Sequence, residues 1–332
     1  MSLRSRDKAF QPYLDGVNKA SETILPRSKS GKTLKDFAIE WLEDVEVFQK
    51  ASSKRSITSH LNSHITAGLG DCALSEVKNN VQTFVTELSR QDLTRKTITN
   101  VLGTLSSILR AAEKRGHGSC QFSRNDLTYS KKRHGRTVHT LDADQARAIV
   151  THAKEPYRTM FVVLRLSGVR AQELRGLKVE DLDFKNKLIH VRRSIDLRTR
   201  EEQETKTPSS EDSVPMPSEL ESCLRHFLQT HWRSNPKGFL FVNRNGNTFA
   251  HGKIVEYGLW PAQDACGITH TGLHAFRHGV GSQLAREGVS LPAISKQLRH
   301  KDVKTTLRYM HVIGDDQRNG MEKLCSQLES GA

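Results

Sequence analysis

Between residues 33 and 116 the apolar side chains recur every three or four positions, the spacing of helices that bury one face. Leu34, Phe37, Ala38, Trp41, Leu42 and Val45 share one stripe, with Thr33 placed to cap its first turn. Ile57, Leu61 and Ile65 follow at spacing four. Val77, Val81, Phe84, Val85 and Leu88 form a third stripe behind Ser75. Ile98, Val101, Leu102, Leu105, Ile108, Leu109 and Ala112 form a fourth, which stops near Gly116. None of these helices can bury its stripe alone. With short connections they predict a four-helix bundle over residues 33–116.

The flanking segments have a different character. Residues 1–32 are rich in Lys, Arg and Ser without periodicity and read as a flexible basic arm. Residues 117–139 also lack a pattern and carry Lys131, Lys132, Arg133 and Arg136, which marks a basic linker. A second domain over 140–312 opens with a helix near Asp142–Ala153 and a strongly apolar one, "MFVVLRL", that ends at Gly168. "KLIHVRR" alternates as a strand does, and "SVPMP" reads as a second short strand. Helices are expected around Leu220–Trp232, Gly252–Ala265, His274–Arg286, Leu291–Leu298 and Val303–Met310. The fold class is mostly α with a small β-sheet.

Composition narrows the function. No apolar run approaches the roughly 18 residues of a membrane span. The basic start "MSLRSRDKAF" is not followed by the apolar core of a secretory signal. Cys72, Cys120, Cys223, Cys266 and Cys325 are scattered, which argues against a disulfide framework or zinc ribbon and for the reducing cytoplasm. The net charge is +14, with Lys+Arg against Asp+Glu at 22 to 14 over residues 1–135 and 29 to 23 over the remainder. An excess in both halves suits a protein that meets a polyanion with two surfaces, and nucleic acid is the leading candidate.

Several residues could carry chemistry. In "LHAFRHG", His274 and Arg277 share a helix face. His274 and His278 have the spacing of a zinc pair, but a cation at Arg277 opposes a metal, so none is expected. In "SGVRAQEL", Arg170 follows the end of an apolar helix, and its planar fork suits phosphate oxygens; Glu173 is its nearest acidic neighbour. Lys206 lies in "TKT", between two strands. "LRHKDVKTTLRYMH" holds His300 and Tyr309 among cations.

Taken together, "GVRAQEL", "TKT", "HAFRH" and "LRHKDVKTTLRYMH" resemble the tyrosine site-specific recombinases of the phage-integrase family. The family pattern is Arg in G-x-R-x-x-E-L, Lys in a T-K-T hairpin, H-x-x-R, then His or Trp, then Tyr. The resemblance extends over about 280 residues and implies a SAM-like core-binding domain before an α+β catalytic domain. Two departures stand out. Asp212 replaces an arginine often found in S-x-R-x-V-P, and only the unpatterned 1–32 precede the bundle, where many integrases carry an arm-binding domain.

The resemblance implies a catalytic set of Arg170, Lys206, His274, Arg277, His300 and Tyr309, with no metal and no cofactor. The arginines would clamp the phosphate, and Tyr309 would attack it to form a 3′-phosphotyrosyl link. His274 would take the tyrosine proton, Lys206 would protonate the 5′-oxygen, and His300 would hydrogen-bond the phosphate. Glu173 would support Arg170 or the nearby histidines. Strand exchange implies a homotetramer on paired DNA sites built from monomers, with the apolar face of a tail helix in 313–332 (Met321, Leu324, Cys325, Leu328) docking on a neighbour. The expected role is integration or excision of a mobile element. Dimer resolution, a type IB topoisomerase and a non-enzymatic DNA-binding protein are the alternatives.

Overall fold

The computed structural model describes residues 31–48, 51–117, 121–129, 140–196, 201–204, 213–300 and 302–312. The arm at 1–30, Lys206 and the tail at 313–332 lie outside the described residues, as does most of the linker. The chain divides into two compact units, Met1–Arg136 and Thr137–Ala332.

The first unit is helical. Helix α1 (Leu34–Phe48) is capped by Thr33, whose Oγ1 accepts the Asp36 N–H at 3.2 Å. Helix α2 (Ala51–His60) runs through a π-helical turn, Leu61–Ile65, into Thr66–Leu69. Helix α3 (Val77–Arg90) starts after Glu76 without a side-chain cap, rather than from Ser75. A main-chain turn replaces the cap, with the Glu76 N–H on the Ala73 carbonyl at 2.9 Å. Helix α4 (Arg95–Lys114) is capped by Thr94 and buries its whole apolar stripe. Residues 121–129 fold back on this unit. Phe122, Leu127 and Tyr129 pack on its core, and the Thr128 N–H bonds Gln82 Oε1 at 2.9 Å.

In the second unit, α5 (Ala143–His152) opens with a capping box between Asp142 and Gln145. Helix α6 (Tyr157–Ser167) has Met160 to Leu164 buried without a break, so it is the central helix. It ends at Gly168, which has φ of 69°. Helices α7 (Ala171–Gly176), α8 (Ser218–Thr230), α9 (His251–Ala265, with a π-helical turn at Val255–Leu259), α10 (His274–Arg286) and α11 (Leu291–Gln297) complete the helical part. Phe161 of α6 stacks on Phe276 of α10, with ring centroids 5.5 Å apart. The α10 segment that bears His274 and Arg277 is thereby fixed to the central helix.

Two small antiparallel sheets flank these helices. Strands β1 (Leu182–Asp183), β2 (Leu188–His190) and β5 (Ser213–Pro215) form one, in the order β1-β2-β5. Strands β3 (Arg193–Ile195) and β4 (Glu202–Glu204) form the other. The expected single strand "KLIHVRR" is therefore split. Burial still alternates through Ile189, Val191, Arg193 and Ile195, but the pairing partner changes from β5 to β4. The expected helix at Val303–Met310 is instead two 3-10 turns, Val303–Thr305 and Leu307–Val312. Thr306 is fully buried between them, and its Oγ1 bonds His300 Nδ1 at 2.8 Å, which draws the chain inward and breaks helical continuity.

Arg193 anchors β3. Its side chain is buried against Asp181, which has no exposed surface, and also meets Glu180 and Glu202. Asp181→Ala should cost about 3 kcal/mol, because breaking a buried pair strands the remaining charge. Urea denaturation measures this, and a loss below about 0.5 kcal/mol would mean the two glutamates suffice.

Candidate active site

The site forms where α6, α10 and α11 end or begin. Gly168 closes α6 with a left-handed turn, and a Cβ there would come within 2.9 Å of Leu298 Cδ2. Only a glycine lets the end of α6 approach the end of α11 so closely. Arg170 follows at the start of α7. Its N–H bonds Glu173 Oε2 at 2.7 Å, its Nη1 bonds Glu173 Oε1 at 2.8 Å, and its Nη2 bonds the Arg299 carbonyl at 3.0 Å.

Arg277 projects from the first turn of α10 and is 2% exposed. Its Nη1 donates to the Gly168 carbonyl at 2.7 Å, and its Nη2 donates to the Leu298 carbonyl. Burial and the neighbouring Arg170 lower its pKa to about 10, so it remains charged at neutral pH. His274, one turn earlier, stands edge-on to His278 with centroids 4.8 Å apart. Burial, then Arg277, Arg170 and Arg308, push His274 down. Burial and the cations around them take His278 and His300 to about 4, so both rings are neutral at pH 7.

Tyr309 is 2% exposed. Its ring lies over Gly281 and nearly parallel to His300, with centroids 6.5 Å apart and 12° between planes. Its hydroxyl is 3.2 Å from His278 Nδ1. Burial raises the phenol, although Arg277 and Arg308 pull in the opposite direction. Burial also opposes ionisation of Glu173, but Arg299, Arg170 and the Arg170 N–H outweigh it and hold the carboxyl below its usual range.

Arg170, Glu173, His274, Arg277, His300 and Tyr309 thus converge on one cluster. Two further residues belong to it. His278, rather than His274, is the hydrogen-bond partner of Tyr309 in this structure; its place four residues after His274 was the available signal. Arg299 pairs with Glu173, and nothing in local spacing marks it. Among the described residues, no group of three or more His, Cys, Asp or Glu is placed to hold a metal ion.

An arginine-rich pocket around a tyrosine, with histidines beside its hydroxyl, has the charge and the groups that phosphoryl transfer needs. The phage integrase family model matches residues 139–314, and the chain belongs to that family of tyrosine recombinases. It is 25% identical to a XerC-like tyrosine recombinase of Caldanaerobacter subterraneus subsp. tengcongensis, over 95% of this chain and 87% of the relative. It is 26% identical to the integrase of Staphylococcus phage L54a, over 74% of this chain and 78% of that one. The fold resembles the Tn1549 transposon integrase in complex with transposon right end DNA, with a TM-score of 0.72 and 22% identity over 89% of this chain and all of that one. It also resembles a lambda integrase tetramer bound to a Holliday junction, with a TM-score of 0.60 and 17% identity over 85% of this chain and 78% of that one.

The packing on Gly281 is testable. A Cβ at Gly281 would lie 2.4 Å from Tyr309 Cζ, so Gly281→Ala should expel the ring. Nitration by tetranitromethane, mapped by peptide, should then rise at Tyr309. Unchanged protection would show that the contact with Gly281 does not hold the ring.

Proposed function

We propose that this recombinase cuts and rejoins double-stranded DNA at specific sites through Tyr309, in the service of a mobile element. The observation that carries this reading is the convergence of Arg170 and Arg277 on the pocket of a single tyrosine. Two guanidinium groups bind the non-bridging oxygens of a phosphodiester and stabilise the charge that develops as the oxygen of Tyr309 bonds to phosphorus. The bond from phosphorus to the 5′-oxygen breaks. That oxygen leaves with a proton from Lys206, and the 3′-phosphate stays on tyrosine. His274 and His278 share the task of receiving the phenol proton, and His300 donates to the phosphate.

The resting phenol is buried, so attack requires the segment 302–312 to turn Tyr309 outward. Phosphate entry favours this state. It adds negative charge beside the histidines, whose protonation Arg170, Arg277 and Arg308 now oppose. Four protomers on paired DNA sites exchange strands, with residues 313–332 linking neighbours. The assembly acts beside DNA in the cytoplasm; no described helix is long and apolar enough to cross a membrane. The phage and transposon integrases among the similar proteins support a mobile-element role. Chromosome or plasmid dimer resolution is the second reading, and the XerC-like relative spanning 95% of the chain favours it.

A nicked duplex from the DNA flanking the reading frame tests the chemistry. Tyr309→Phe should bind this duplex yet form no covalent adduct. Lys206→Ala should be unable to cleave it, but should recover on a duplex with sulfur at the bridging 5′-position, because thiolate leaves without an acid. An adduct on the Phe variant would move the nucleophile elsewhere. Equal loss on both duplexes would make Lys206 a binding residue.

A further inference from the structure

Helix α11 ends with an unexpected residue. Two main-chain bonds close its last turn, from the Arg299 N–H to the Lys296 carbonyl and from the His300 N–H to the Ser295 carbonyl, both at 3.0 Å. This pair of bonds places the residue after the cap in the left-handed region, a position that helices usually give to glycine. Here it is Arg299, with φ of 49°. A Cβ in that region crowds the following carbonyl, so helix termination alone gives no reason for an arginine.

The reason lies at its two polar ends. The left-handed turn directs the Arg299 carbonyl toward Arg170 Nη2, at 3.0 Å. The side chain, 6% exposed, reaches Glu173 Oε2, while Arg170 takes Oε1 at 2.8 Å. We propose that Arg299 is a positioning residue that aims Arg170 at the scissile phosphate by occupying one oxygen of Glu173. This rests on the reading of Arg170 as a phosphate ligand.

The chemistry of the carboxylate explains how. A lone arginine beside a carboxylate prefers to bind both oxygens with two parallel N–H bonds. That arrangement would commit the fork of Arg170 to Glu173 and draw it inward. With Oε2 held by Arg299 and by the Arg170 main-chain N–H, the Arg170 guanidinium has only Oε1. Its side chain stays 37% exposed, with N–H donors left over for DNA. Arg299 also keeps Glu173 ionised, so that contact with Arg170 survives mild acid.

Arg299→Gly separates this role from helix capping, because glycine suits the left-handed turn and retains the carbonyl. The first measurement needs no DNA. Titration of the labelled Glu173 carboxyl by NMR should show its midpoint raised in Arg299→Gly, and an unchanged midpoint would overturn the proposal. The second is single-turnover adduct formation on the nicked duplex across a pH series. The variant should still fold but melt earlier than the parent, because the lost contact with Glu173 outweighs the relaxed turn. It should bind the duplex within about twofold, but cleave roughly ten- to a hundredfold more slowly. The acid limb of its rate profile should shift to higher pH, and Arg299→Lys should recover part of the rate. Parental rate and pH profile in Arg299→Gly would make Arg299 a helix terminator only. If the parent itself forms no adduct, the reading of the whole site fails, while the carboxyl titration still decides whether Arg299 governs Glu173.

Discussion

The catalytic unit depends on how Arg277 is solvated. This guanidinium sits almost entirely inside the protein, yet its Nη1 and Nη2 donate to main-chain carbonyls, those of Gly168 and Leu298. Gly168 caps the end of α6, and Leu298 caps the end of α11. Helix C-termini present carbonyls that lack helical partners and carry partial negative charge, so they can hold a cation without cancelling it. A carboxylate in the same place would neutralise Arg277 and leave nothing for a phosphate. The geometry around Arg277 also fixes the rest: α10 supplies the guanidinium, α6 and α11 must both end against it, and Gly168 permits their approach.

This arrangement gives the resting pocket an excess of positive charge. Burial and that charge hold His278 and His300 neutral, while Arg277 and Arg308 partly offset the penalty that burial places on ionising the Tyr309 phenol. Under the mechanism proposed above, Tyr309 would stay protonated and covered until an anion compensates the arginines, and the attacked phosphate would itself supply that counter-charge.

The sequence made much of this legible where signals are local. The stripe from Ile98 to Ala112 became a 20-residue helix with every one of those positions buried, because periodic apolar spacing is set by the helix itself. Arg170, His274, Arg277, His300 and Tyr309 were found from their motif segments, and they meet in space. Features created by tertiary contact were not legible. The segment Val303–Met310 has helical spacing, but the bond from Thr306 to His300 converts it into two 3-10 turns. "KLIHVRR" alternates throughout, and no local signal reveals that its second half pairs with β4 instead of β5. His278 shows in the sequence only the spacing of a metal pair, which Arg277 already opposes, and its contact with Tyr309, 31 residues away, is created by tertiary packing.

Arg299 is the clearest case of a local preference overruled, and magnitudes show why it can persist. A non-glycine residue in the left-handed region costs about 1–2 kcal/mol. Removing one partner from a buried ion pair costs about 3–5 kcal/mol, because the other charge is left without compensation. Glu173 is 5% exposed and must stay charged to hold Arg170, so a second cation beside it is worth more than a relaxed turn. The strain is placed at the residue whose carbonyl and side chain both face the arginine pair. A glycine would relax the turn and keep the carbonyl, but lose the side-chain contact. An arginine here supplies both, which is a physical reason for the chain to break its own helix-ending rule one residue before His300.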